Sequence, residues 1–126
     1  MGKERAAYAP GVYARLAALI AERGEQLGYA IAVHGSMRRD LDLIAAPWTD
    51  QAVSGEELVK AVCVTVGGYV IEDGTCGGKW NQAAQQWEAA EVRNPEVKPH
   101  GRLAWNIQLG GGAVIDLSIM PRQVTE

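Results

Sequence analysis

Two aspartates, Asp40 and Asp42, follow a glycine–serine turn in the stretch His34-Gly35-Ser36-Met37-Arg38-Arg39-Asp40-Leu41-Asp42-Leu43-Ile44. In an extended strand successive side chains point to opposite faces, which puts Asp40 and Asp42 on one face and Leu41 and Leu43 on the other. Carboxylates so placed, roughly 5–6 Å apart, repel by about 3 kcal/mol at an effective dielectric of about 20. Stability alone gives no reason for that arrangement, and a cation between the carboxylates reverses its sign. A third aspartate, Asp116, stands inside the apolar run Val114-Ile115-Asp116-Leu117-Ser118-Ile119. Aspartate suits a mid-strand position poorly, and one found there marks a sheet edge or a site.

These aspartates have to be positioned by a small domain. The chain has 126 residues, 48% hydrophobic and 21% charged, which is the composition of one globular domain spanning residues 1–126 with its own core. A net charge of −3 gives no general attraction to nucleic acid or anionic membranes, so a polyanionic substrate has to be held by local basic groups or metal. Met1-Gly2-Lys3-Glu4-Arg5 leads into an amphipathic segment rather than a cleavable apolar core, and no run reaches the roughly 18–20 apolar residues of a membrane span. Cys63 and Cys76 form no metal-binding pattern and suit a reducing compartment, so the expected location is cytoplasmic.

Pro10 to Leu27 has helical spacing, with Val12, Leu16, Leu19, Ile20 and Leu27 on one stripe, and Gly28 ends it. Tyr29 to His34 and Asp40 to Ala45 are strand-like, the second stopped by Pro47, and Gly35 to Arg39 can close them into a hairpin. Ser54-Gly55-Glu56-Glu57 is a capping box opening a helix with Leu58, Val59, Val62, Cys63 and Val66 inward, closed by Gly67 and Gly68, with a short strand expected at Tyr69 to Ile71. Glu72 to Gly101 is an excursion from the core, and the spacing of Ala83, Ala84 and Trp87 predicts a short helix in it, a lid or a contact surface. The chain closes with a hairpin. Leu103, Trp105, Ile107, Ile115, Leu117 and Ile119 form its core face, and Asn106, Gln108, Asp116 and Ser118 the other. A turn at Gly110-Gly111-Gly112 pairs Leu109 with Ala113 and sets Asn106 opposite Asp116. The predicted fold is α+β: a mixed, mostly antiparallel sheet with helices packed on one face and Asp40, Asp42 and Asp116 on the open one.

Gly35-Ser36 followed by Asp40-Leu41-Asp42-Leu43-Ile44, with the later Val114-Ile115-Asp116-Leu117, resembles the nucleotidyltransferase superfamily that includes DNA polymerase beta and the minimal nucleotidyltransferases. It is particularly similar to small phage and prophage nucleotidyltransferase-like proteins. The resemblance runs from about Ala30 to Met120 and rests on a handful of positions. It implies a Mg²⁺-dependent transfer of a nucleoside monophosphate from an NTP to an unidentified acceptor hydroxyl. On that reading Gly35 and Ser36 clamp the phosphates, while Asp40, Asp42 and Asp116 bind two Mg²⁺ ions, the usual partners of hard oxygen ligands with phosphates. Asp116 could also help deprotonate the acceptor, and Arg38 and Arg39 are placed to contact triphosphate oxygens. The family usually sets a helical turn between the Gly-Ser pair and the aspartates, where this chain has only Met37-Arg38-Arg39. The second expectation is therefore a noncatalytic relative that binds a nucleotide or partner protein, in a phage or toxin–antitoxin setting. A third is a metal-dependent phosphohydrolase. A chain this short would work as a homo-oligomer or beside a partner.

Each residue also has a plainer role. Gly35-Ser36 suits a simple turn, and Arg38 and Arg39 suit a solvated surface. His34 reads as a strand residue and His100 as a loop residue; Lys98, His100 and Arg102 form either a small anion site or a basic start to a strand. Trp48, Trp80, Trp87 and Trp105 suit core or interface positions, with Trp48 also able to cover a nucleobase.

Overall fold

The fold is given by a computed structural model that describes residues 8–37, 39–68, 70, 78–89 and 95–122. Helix α1 (Pro10–Gln26) starts on Pro10, whose missing N–H lies where no helical bond would form. Its buried residues are Tyr13, Ala17, Ile20 and Gly24, whereas Val12 and Leu19, expected inward, are 45% and 52% exposed. Gly24 sets that rotation: a Cβ there would run into the Ile31 side chain, so α1 lies against the following strand along its glycine. The Tyr13 hydroxyl donates to the Arg39 carbonyl at 2.8 Å, tying the helix to the turn ahead of the aspartates.

Gly28, at φ +92°, reverses the chain into β1 (Tyr29–Val33), which pairs antiparallel with β2 (Leu41–Pro47) as the hairpin pattern requires. Leu41, Leu43 and Ala45 are buried while Asp42, Ile44 and Ala46 alternate onto the other face. Helix α2 (Gly55–Val66) has the expected cap, with Ser54 Oγ accepting from the Glu57 N–H at 3.2 Å, and it ends on Gly67 at φ +71°. Leu58, Val59, Val62 and Cys63 are buried, and that burial pushes the Cys63 thiol up to about 12, which leaves it a packing residue. Cys76, Tyr69 and Ile71 lie outside the described residues, and Val70 between the last two is buried without belonging to a strand.

The helix expected near Ala83 is instead a two-stranded ribbon beside α2, β3 (Gly78–Asn81) with β4 (Gln86–Ala89). Turn chemistry overrides the helical spacing. Asn81 Oδ1 accepts from the Ala84 N–H at 3.0 Å and Gln85 takes φ +56°, which closes a reverse turn and pairs Trp80 with Trp87 in register.

The main sheet is completed by β5 (Glu96–Val97), β6 (Leu103–Gln108) and β7 (Val114–Ile119), in the order β1-β2-β7-β6-β5. Among the described strands of this sheet only the β2–β7 pair is parallel. The closing hairpin has the expected register: the Leu109 N–H donates to the Ala113 carbonyl at 2.8 Å, and Asn106 faces Asp116. Leu103, expected in the core, is 37% exposed at the first position of β6, where it pairs with the exposed Val97. Pro47 ends β2 from within, and Pro121 follows Met120 just past β7, so pairing stops at one end of the sheet. Both helices share one continuous core with the inner sheet face, centred on Trp105, Ile115 and Leu117. No described helix is long and apolar enough to cross a membrane.

Leu117→Ala, in a central strand at 0% exposure, is expected to lower unfolding free energy by about 3 kcal/mol. Ser54→Ala removes one cap bond and is expected to cost about 1 kcal/mol. Urea denaturation followed by circular dichroism checks both.

Candidate functional site: a carboxylate pair on adjacent strands

Parallel pairing of β2 with β7 puts Asp42 directly beside Asp116. Adjacent strands lie roughly 4.8 Å apart, and register partners project from the same face, here the one opposite the helices. Both side chains are half-buried and border a pocket of about 120 Å³ lined also by His34, Leu43, Lys98, Arg102 and Ser118.

Each wall has a local cause. His34 follows the last residue of β1, and its backbone N–H donates to the Asp42 carbonyl at 2.8 Å, fixing that end of the hairpin beside the carboxylate. Gly35 comes next at φ +117°, and a Cβ there would lie 2.9 Å from Asp42 Oδ2. The position thus excludes a side chain both by backbone conformation and by the space the carboxylate occupies. On the far side, the Lys98 N–H donates to the Arg102 carbonyl at 2.9 Å, closing a loop in which His100 and Gly101 take positive φ. That closure brings Lys98 and Arg102 to the pocket together. Arg102 is aimed by two bonds, Nη1 to Ser118 Oγ at 3.2 Å and Nε to the Pro99 carbonyl at 3.3 Å. Ser118, two residues beyond Asp116 on the same face, is the buried polar side chain on which the guanidinium rests. Lys98 Nζ is 3.4 Å from Glu96 Oε1.

The charge of the pair is incompletely balanced. Desolvation raises the pKa of Asp42, and Asp116 and Asp40 raise it further while His34 opposes them. Desolvation also leads at Asp116, opposed by Lys98 and His34 and reinforced by Glu96 and Asp40. Among the described residues no salt bridge ties either carboxylate to a cation, and no group of three or more His, Cys, Asp or Glu side chains is arranged to hold a metal ion. Two carboxylates, both hard oxygen ligands, border the pocket. That suits Mg²⁺, which usually takes one or two carboxylates and fills its remaining positions with water and substrate phosphate.

The structure therefore brings together Asp42 and Asp116. Asp40 sits in the bend before β2, half-buried, and acts on both at longer range. Gly35 backs onto Asp42, whereas Ser36 and Arg39 are exposed and do not line the pocket; Arg38 lies outside the described residues. No helix lies among the described residues between β1 and β2, so Gly35-Ser36 is a turn between strands rather than a helix N-terminus. Trp48 is 64% exposed but six residues along β2 from Asp42, about 20 Å at strand rise, too far to cover a base seated at the pocket. Trp105 belongs to the core. Among the described residues the cations facing the carboxylates come from Lys98 and Arg102, with His34 beside them; His100 is exposed in the loop turn. The Lys98-Pro99-His100-Gly101-Arg102 spacing was the signal for that wall, and the place of Ser118 on the face of Asp116 was the signal for the residue supporting it.

Comparison of the chain with models of protein families, with curated proteins and with solved structures finds no match.

Because both carboxyls hold their protons to a higher pH when folded, the native state binds more protons than the unfolded chain above the ordinary value of 3.8. Stability contributed at low pH is then lost as pH rises through the raised native values. Asp42→Asn and Asp116→Asn are each expected to stabilise the protein at pH 7. The gain should vanish below about pH 3, where the carboxyls are protonated in both states. Urea unfolding at the two pH values gives the comparison.

Proposed function

We propose that the chain is a Mg²⁺-dependent nucleotidyltransferase whose reacting phosphate sits in the pocket between Asp42 and Asp116. The observation that carries this reading is the register-matched carboxylate pair, in a salt bridge with none of the described cations, facing Lys98 and Arg102 across one small pocket. A stable fold gains nothing from such a pair, and a cation together with a phosphate would satisfy both walls at once.

Asp42 and Asp116 would hold Mg²⁺, with Asp40 adding negative potential from the bend before β2. The metal would offset the carboxylate charge and polarise a bound phosphate. The remaining work falls to the chain's own groups. Lys98 and Arg102 present positive charge to phosphate oxygens, Arg102 in an orientation fixed by Ser118 and Pro99. Asp116, at the edge of the pocket, would be placed to take the proton of the attacking hydroxyl. In the transfer, the acceptor oxygen forms a bond to the α-phosphorus, the bond from that phosphorus to the bridging oxygen breaks, and pyrophosphate leaves. A pocket of about 120 Å³ accommodates the phosphate and metal, and the sugar and base would extend over the open face past Asn106 and Gln108.

One observation favours a second reading, a noncatalytic module that binds a nucleotide or partner protein. Without a helix among the described residues between β1 and β2, the Gly35-Ser36 turn offers no helix N-terminus to steady a triphosphate.

Thermal unfolding with ATP, GTP, CTP and UTP, with and without Mg²⁺, tests these readings. One nucleotide at about a hundredfold excess over Kd is expected to add about 2.7 kcal/mol in a strictly Mg²⁺-dependent way. Asp42→Asn should abolish the shift, and Arg102→Ala should weaken binding about tenfold. Labelled nucleotide incorporated into an acceptor distinguishes transfer from binding, and equal shifts in wild type and Asp42→Asn contradict the carboxylate site.

A further inference from the structure

Lys98 and Arg102 stand on one wall of the pocket but are held by partners of different charge. Arg102 rests on neutral oxygens, Ser118 Oγ at 3.2 Å and the Pro99 carbonyl at 3.3 Å, which leaves its charge to the pocket. Lys98 Nζ lies 3.4 Å from Glu96 Oε1, the carboxylate of a residue that does not line the pocket.

The sheet explains that contact. Glu96 opens β5 and Lys98 follows its last residue, so the two flank Val97 and project to the same side of an extended backbone. Register sets Glu96 beside Ala104 and Ala104 beside Ser118, which places Glu96 on the face of the carboxylate pair, one row along from Asp116. Asp116 lies on β7, Arg102 just ahead of β6 and Lys98 just past β5, successive steps across the sheet away from the pair. A phosphate chain that begins between the carboxylates therefore meets Arg102 first and Lys98 last. The contact at Lys98 is built to exchange. The Glu96 side chain is 65% exposed and that of Lys98 32%, so the carboxylate can turn into solvent while the ammonium stays at the wall. Exposed ion pairs contribute little to stability, and a phosphate oxygen can replace the carboxylate at small cost. After desolvation, the Asp116 carboxyl feels Lys98 lowering its pKa and Glu96 raising it, so both charges reach the site.

We propose that Glu96 competes with the leaving pyrophosphate: its carboxylate holds Lys98 in the free protein, yields it to the terminal phosphates of a bound chain, and takes it back as pyrophosphate departs. The inference rests on the phosphate reading of the pocket and assigns the far end of the phosphate chain to Lys98. Titration calorimetry with pyrophosphate in the presence of Mg²⁺ tests it. Glu96→Gln should bind pyrophosphate about threefold more tightly than wild type, the worth of one exposed ion pair. Lys98→Ala should bind it about fivefold more weakly, and adding Glu96→Gln to Lys98→Ala should change nothing further. Each variant should melt as cooperatively as wild type by circular dichroism. Equal affinity in wild type and Glu96→Gln, or a gain that persists without Lys98, overturns the proposal and leaves the phosphate pocket standing. Pyrophosphate bound by none of these proteins overturns both.

Discussion

The parallel pairing of β2 with β7 is the constraint on which the rest of the structure depends. Parallel neighbours cannot be joined by a tight turn, so the chain must leave the sheet after β2 and return much later. Helix α2, the β3–β4 ribbon and the β5–β6 loop all lie in that crossover. The same pairing fixes Asp42 beside Asp116, and sliding it by one residue would exchange the buried row of Leu41, Leu43, Ile115 and Leu117 for the polar row. Core packing therefore enforces a juxtaposition of like charges that electrostatics alone would oppose.

What surrounds the pair shows how that opposition is contained. Gly35 leaves room for the Asp42 carboxylate, while the closed loop from Lys98 to Arg102 supplies cations from the far side without placing either in a salt bridge with the pair. Arg102 is held by Ser118 and Pro99, and Lys98 lies by Glu96, so both stand near the pocket while tied elsewhere. Two raised carboxyls beside fixed cations make a site that is electrostatically incomplete on its own, the condition under which a metal–phosphate ligand would be taken up with little rearrangement.

Much of this was legible in the chain because the strong signals are local. The cap at Ser54, the glycine stop at Gly67 and the register of the closing hairpin each follow from a few adjacent residues, and strand alternation alone put Asp42, Asp116 and Ser118 on one polar face. The losses were tertiary. Val12 and Leu19 match the helical stripe by period, but the close approach at Gly24 decides which side of α1 faces inward. The spacing of Ala83, Ala84 and Trp87 is helical, yet the Asn81 side chain captures the Ala84 N–H and makes a turn. The spacing of Lys98, His100 and Arg102 marks a basic cluster, but its place across the pocket from Asp42 and Asp116 follows from a loop closure and from strand pairing distant in sequence.

The central claim is that Asp42 and Asp116 share one electrostatic environment that a divalent cation completes. Carbon-13 NMR of the aspartate side-chain carboxyls, titrated from acid to neutral pH with and without Mg²⁺, tests it most directly. The account predicts that Asp42 and Asp116 both titrate above the ordinary value of 3.8 and that Mg²⁺ lowers both together. Ordinary titration of the two carboxyls, unmoved by Mg²⁺, would contradict it.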